Sequence, residues 1–475
     1  MATSIPADKA ALVLATLKDQ TNSLIGQSEQ VQLDLLQVQG SGSFPYYYQD
    51  PNNLKFNKKT YDWISQHVEK RNGQAPISLD GSYNNQFGTA ITAIAYTLSR
   101  ADQAKLTEAR EKAVDHRSAL VNVWSVTYGK PSSDKVAIDE IFGVVLKDWT
   151  SKENASMMDI LSAPDLHEFL DKAPTSGHEI KNLIGNYLDA LGEGVPLQNS
   201  ITLNNGILRR VRNAVNRPTE KNGAIELNEG GIFVPEYKFS EAPGDLLNKL
   251  RSDDNKIEVQ LKMTDITESE TNLSVGGDAS FKMPLEFFDF SLGAEANFFT
   301  KIISKTSTTI EIDMTFKGIT VVKFGPEAFE LSSSTGWHYN DAIKEAVKLG
   351  DQDVSGFKFS PRPNYDFEVG GDFGIINAVA FCQYPAISIK ITTKDYKEIK
   401  AQLDANANAG MKIDFLGMSL GVGLDSEYTQ KGGVVNETEG SVSFTLNPPE
   451  KVIGDVRTNA TAFILGVQTE YTAVE

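Results

Sequence analysis

"TTIEIDMTF", residues 308–316, places Ile310, Ile312 and Met314 on one side of an extended chain, with Glu311 and Asp313 between them. An apolar period of two with one polar face is the pattern of a half-buried strand in an antiparallel sheet. "EVQLKMTDI" (258–266) repeats it with Val259, Leu261 and Met263, and "SVSFTLNPP" (441–449) with Val442, Phe444 and Leu446. These stretches lie beyond residue 222, and they fix the C-terminal half as antiparallel β.

Between them sits a repeated element. "FFDFSLG" (287–293) returns as "FLGMSLG" (415–421), each inside a longer alternating run. In the first copy Phe281, Met283, Leu285 and Phe287 share a face, then Phe290 and Leu292 take over after a change of parity at Phe288 and Asp289. In the second, Met411, Ile413 and Phe415 give way to Met418 and Leu420 across Leu416 and Gly417. An uninterrupted strand keeps its parity, so each copy requires a tight turn or a bulge. The sequence therefore predicts two related hairpins, a signal of internal duplication. Their turn regions are apolar, where an exposed turn favours Asn, Asp and Gly. Phe287, Phe288, Phe290, Phe415, Leu416 and Met418 are accordingly candidate contact residues.

The preceding 200 or so residues change period. "SRADQAKLTEAREKAVDHRSALVNVW" (99–124) offers Ser99 as cap, Asp102 for the first turn, and Leu106, Ala109, Ala113, Leu120 and Trp124 at helical spacing. Gly129 and Pro131 end it. A second helix is expected from near Ser133, carrying Val136, Ile141, Val144, Val145 and Trp149. Two shorter ones follow in "MMDILSAPDLHEFLDKAP" and "GHEIKNLIGNYLDALGEG", punctuated by Pro164, Pro174 and Gly192. "NDAIKEAVKLG" (340–350) predicts a short helix within the β half.

The expected class is α+β: a mainly helical domain (1–221), a first antiparallel β unit with a short terminal helix (222–350) and a second, related unit (351–475), the β region being sandwich-like.

Sixty-three acidic residues against 45 basic ones give a net charge of -18, which opposes a phosphate-backbone ligand and makes nucleic acid an unfavoured partner. The basic run "ILRRVRNAVNR" (207–217) reads as a solvated helix face. The single cysteine, Cys382, excludes an intrachain disulfide and, between Phe381 and Tyr384, reads as a buried thiol. The N-terminus lacks the pattern of a secretory signal, and no apolar run approaches the about 18 residues of a transmembrane helix. A cytoplasmic product is expected, with signal-independent export or release by lysis left open.

No nucleotide-binding glycine motif, nucleophile elbow or H-E-x-x-H spacing is present, and no cofactor is implied. His167, with His178 eleven positions on and Glu168 or Glu179 beside them, is the best metal candidate; a helix-surface reading outweighs it. Trp337 in "SSSTGWHYN" and the run Tyr46, Tyr47 and Tyr48 in "GSGSFPYYYQDPNN" are further candidates for ligand contact, weighed against packing in the core. The expected function is non-enzymatic recognition or assembly through the C-terminal β region, with a protein partner or a second copy of the chain. The alternative is a soluble membrane-active or pore-forming protein, toxin-like, whose repeated hairpins meet a lipid bilayer. A hydrolase with a carboxylate or His-assisted site near His167 and Trp337 stands third.

Overall fold

A computed structural model of the chain describes residues 38–39, 43–49, 55–69, 77–134, 137–149, 178–228, 230–253, 255–266, 270–275, 279–284, 288–292, 308–405, 411–415, 418–420, 429–448 and 461–472. The protein is α+β, with its long helices in the N-terminal half and predominantly antiparallel sheets in the C-terminal half. Two compact units divide the chain, and neither is continuous in sequence. One draws on Met1–Ile91, Val211–Asn340 and Pro363–Glu475, the other on Thr92–Arg210 and Asp341–Arg362.

The helical unit begins with Arg100–Thr127, where the Ser99 hydroxyl accepts from the Asp102 amide at 3.1 Å and satisfies one of the four orphan donors of the first turn. Leu106, Ala109, Ala113, Leu120 and Trp124 are its buried residues, the face that the spacing predicts. The next helix, Ala137–Trp149, buries Ile138, Ile141, Phe142 and Val145. Val144, expected inside, is 38% exposed. At 100° per residue it lies about 110° round the helix from the centre of that stripe.

The largest departure is His178–Asn216, one helix of 39 residues where the punctuation predicts a short helix ending near Gly192. Gly192, Gly194 and Pro196 all lie inside it. Such residues weaken a helix by about 1 kcal/mol per Gly and about 3 for Pro, so propensity argues for a break. Tertiary packing overrides it. Ile180, Ile184, Tyr187 and Leu188 join Leu120, Trp124, Ile141 and Phe142 in one core cluster. Gly194 serves close approach, because a Cβ there would lie 3.1 Å from Leu106 Cδ1. The stretch 157–174 lies outside the described residues. A two-stranded ribbon, Ile94–Thr97 against Gly356–Phe359, completes this unit. Asn205 holds its edge, accepting from the Tyr96 amide and donating to the Tyr96 carbonyl, both at 3.1 Å.

In the β unit the seven-stranded sheet runs, edge to edge, Ala279–Pro284, Glu270–Val275, Lys256–Thr264, Thr309–Lys317, Ala386–Thr392, Ser441–Asn447 and Thr429–Asn436, every pairing antiparallel. Register follows the sequence pattern: Leu261, Ile312, Ile389 and Phe444 are successive partners across four strands, and all are buried. On the other face Lys262, Glu311 and Lys390 are likewise partners, with Lys262–Glu311 at 3.4 Å and Lys390–Glu439 at 2.8 Å. Exposed pairs of this kind add little stability. Their register nonetheless opposes unlike charges and so disfavours a one-residue slip.

An eight-stranded sheet centres on Gly374–Cys382, flanked by Ala462–Tyr471 and Thr320–Pro326 and, at Gly374, by Gln66–Glu69. Strands therefore also come from the N-terminal stretch. "GIINAVAFC" is apolar almost throughout because the strand is buried on both faces. Gly374 is required where it stands, since a Cβ would meet the Val68 carbonyl oxygen at 2.1 Å. Cys382 is fully buried, and burial pushes its thiol well above the ordinary range.

Candidate functional site

The two repeated segments are hydrogen-bonded to each other. Phe288–Leu292 pairs antiparallel with Met411–Phe415, which pairs in turn with Met418–Leu420 to form a separate three-stranded sheet. Register places Phe288 opposite Phe415 and Phe415 opposite Met418, one row across three strands. Phe290, Ile413 and Leu420 make the next-but-one row. The second copy is a hairpin as its parity change predicts, because Phe415 faces Met418 with only positions 416 and 417 between them. The first copy is not. Its arm Ala279–Pro284 belongs to the seven-stranded sheet, whereas Phe288–Leu292 belongs to this one. Alternation specifies a strand and its faces; it does not specify the partner, and here the partner is more than 120 residues away. Phe287 and Leu416 lie outside the described residues.

The aromatic candidates are drawn inward. Trp337, expected in a polar loop, is 1% exposed, and its indole N–H donates to the Glu236 carbonyl at 2.7 Å. Edge-on contacts with Phe87 and Tyr83 surround it. Tyr46 is fully buried beside Phe381, and burial lifts its hydroxyl to about 12; Tyr47 is buried as well. Burial therefore takes Tyr46, Tyr47 and Trp337 away from any ligand arriving from solvent. A large ring recovers more by leaving water than an exposed contact gives back, about 25 cal/mol per Å2 of apolar surface. Tyr48 differs. It is half-buried, stacks on Phe239 with ring centroids 3.9 Å apart, and donates its hydroxyl to the Glu241 carbonyl. Burial, with Glu241 and Asp245 nearby, raises that hydroxyl to about 12, so it remains a donor at neutral pH.

No protein-family model, curated protein or solved structure matches this chain.

A buried polar relay escapes the sequence reading. The Tyr237 hydroxyl donates to Asn84 Oδ1 at 2.9 Å, Asn84 Nδ2 donates to the Tyr61 hydroxyl at 2.8 Å, and Tyr61 donates to the Pro235 carbonyl at 2.8 Å. Burial raises both phenols above the ordinary tyrosine range and keeps them protonated. Asn84 and Tyr61 line one cleft of about 500 Å3, together with Ser65, Gln66, Ser82 and Asn85. Tyr237 lines a second of about 480 Å3, with Tyr48, Phe56 and Phe239 as its aromatic wall. "SYNNQF" (82–87) carried the only signal: paired asparagines that open a helix, Tyr83–Thr92, directly after a strand.

His167 lies outside the described residues; His178 is the first residue of the 39-residue helix, and its side chain is not among those described. Among the described residues no group of three His, Cys, Asp or Glu side chains could hold a metal ion. No described helix is long and apolar enough to cross a membrane.

Proposed function

We propose that this is a non-enzymatic recognition and assembly protein that acts through its C-terminal β region, with the three-stranded sheet as the contact element. The observation that carries the reading is the row Phe288, Phe415 and Met418, assembled from two distant segments with like sequences. Its strands are five, five and three residues long, and Phe288–Leu292 has a partner on one edge only among the described residues. An edge strand presents unpaired N–H and C=O groups, and another chain can extend it. The occupant favoured here is a second copy of the chain. The test is a full-length variant carrying Phe288→Thr, Phe290→Thr and Phe415→Thr, compared with the unaltered chain by sedimentation velocity over a concentration series. Concentration-dependent association that the variant loses, with unchanged far-UV circular dichroism, supports the reading. Equal association of both proteins refutes it.

A second reading, contact with a lipid surface, draws on one further feature. Since Phe288 begins its strand opposite Phe415, and Phe415 faces Met418, the start of the first copy's strand and the hairpin of the second copy lie at one end of this sheet. The apolar positions of both copies are thereby gathered in one place, as an interfacial wedge requires. Three to five residues fall well short of the about 9–11 that a strand needs to span a bilayer, so this reading concerns surface contact in the folded state. Dye release from phosphatidylcholine vesicles, abolished by the same substitutions, tests it.

A further inference from the structure

The cleft walled by Tyr48, Phe56 and Phe239 has a composition that the assembly reading does not use. Two ion pairs lie in it: Lys55 to Glu226 at 2.5 Å and Lys238 to Glu236 at 2.7 Å. These four are its only charged lining residues, so the lining is neutral, with Glu327 outside it at 3.9 Å from Lys238. Gln49 adds an amide, and Tyr48 and Phe239, stacked on each other, line it as half-buried rings. A volume of about 480 Å3 falls within the range of about 300–1,000 Å3 typical of small-ligand sites.

We propose that this cleft binds a neutral saccharide, the end of a glycan chain. A charged ligand entering here would have to compete with one member of an existing pair and leave the other unbalanced, which is costly in a partly desolvated site. Hydroxyl groups avoid that cost. Each can donate to Glu226 or Glu236 and accept from Lys55, Lys238 or Gln49, gaining charge-assisted hydrogen bonds while the cleft stays neutral. The aromatic wall supplies the complementary half of the recognition, because the C–H face of a pyranose is weakly positive and apolar and lies flat against the negative face of a ring. Carboxylates and ammonium groups held in pairs are also pre-ordered, so less side-chain freedom is lost on binding.

Saturation-transfer NMR on the full chain tests this with methyl α-mannoside, methyl β-galactoside, methyl β-glucoside and methyl N-acetyl-β-glucosaminide, with phosphocholine as the charged comparator. At least one neutral glycoside is expected to receive saturation from the protein. Its affinity should fall at least tenfold in Glu236→Ala/Lys238→Ala, and likewise in Lys55→Met/Glu226→Leu at the second ion pair, and persist in Asp62→Asn, a lining residue of the other cleft. The proposal is overturned if no neutral glycoside receives saturation. It is equally overturned if phosphocholine alone does, which would make the cleft a quaternary-ammonium site, or if the signal survives both cleft variants. None of these substitutions touches the three-stranded sheet, so this test and the sedimentation test fail independently.

Discussion

Replacing Asn84 by Ala tests whether the buried relay is a fixed part of the β unit. Asn84 is 8% exposed and Tyr237 is 3% exposed, so water cannot readily replace what is lost. In the variant the Tyr237 hydroxyl has no acceptor, and an orphaned buried donor costs about 1–3 kcal/mol. Tyr61 loses one donor but keeps the Pro235 carbonyl, which adds about 1 kcal/mol. Asn84→Ala is therefore expected to destabilise by about 2–4 kcal/mol. Tyr237→Phe alone strands Asn84 Oδ1 at a similar desolvation penalty of about 1–3 kcal/mol. In the double variant neither group is left unpaired. The loss in the double variant should then fall short of the sum of the two single losses by about 2–3 kcal/mol, because removing both partners is far less costly than removing either. Urea denaturation followed by far-UV circular dichroism, on the wild type, both single variants and the double variant, measures this. Additivity within about 0.5 kcal/mol would refute the coupling and with it the relay.

Three further outcomes are expected. Ser99→Ala removes the cap of the helix Arg100–Thr127 and should cost about 0.5–2 kcal/mol, read as faster amide exchange in its first turn. Gly192→Ala should stabilise by about 0.5–1 kcal/mol, since nothing lies within 4 Å of the added Cβ; Gly318→Ala, at φ +63 with the Leu250 carbonyl oxygen 2.1 Å from that position, should fail to accumulate as folded protein. Thermal melts and soluble yield separate the two. Asp313, on the polar face of the seven-stranded sheet, and Glu439, in the turn 437–440 that joins two of its strands, should show opposite pH dependence. Burial, then Glu311 and Glu258, raises the Asp313 carboxyl, so its penalty is absent below its unfolded pKa and grows as pH rises through the folded value; Asp313→Asn should stabilise at pH 7 and not at pH 3. Lys390 lowers the Glu439 carboxyl, whose contribution is present above its unfolded pKa and lost as pH falls through the folded one, so Glu439→Gln should destabilise at pH 7 only. Urea midpoints at the two pH values decide both.

Local pattern and tertiary context part company at identifiable residues. Ser99, Leu106, Ala109, Ala113, Leu120 and Trp124 were readable because a cap and a 3.6-residue stripe are properties of neighbouring positions. Ile310, Ile312 and Met314 were readable for the same reason at a period of two. The 39-residue helix was not, because Gly192 and Pro196 report a local preference that buried neighbours at both ends outweigh. Trp337 and Tyr46 sit in stretches whose composition is that of exposed loops. That composition allows both ligand contact and core packing, and the surrounding rings and carbonyls place Trp337 and Tyr46 in the core.

The sequence by itself determined the helix Arg100–Thr127, the strands around Leu261, Ile312 and Phe444 with the apolar side of each, and that Cys382 would be buried, since these depend on spacing along the chain. The tertiary structure alone decided that Phe288 pairs in register with Phe415, that Asn84 joins Tyr61 to Tyr237, and that Lys55 and Lys238 line a common cleft already paired with carboxylates. Apart from the Lys238–Glu236 pair, which is two positions apart, each of those contacts closes a loop of more than 20 residues, and three of the four close more than 120. The entropy of such closure grows only as the logarithm of loop length, so chain separation carries almost no information about which distant partner is chosen.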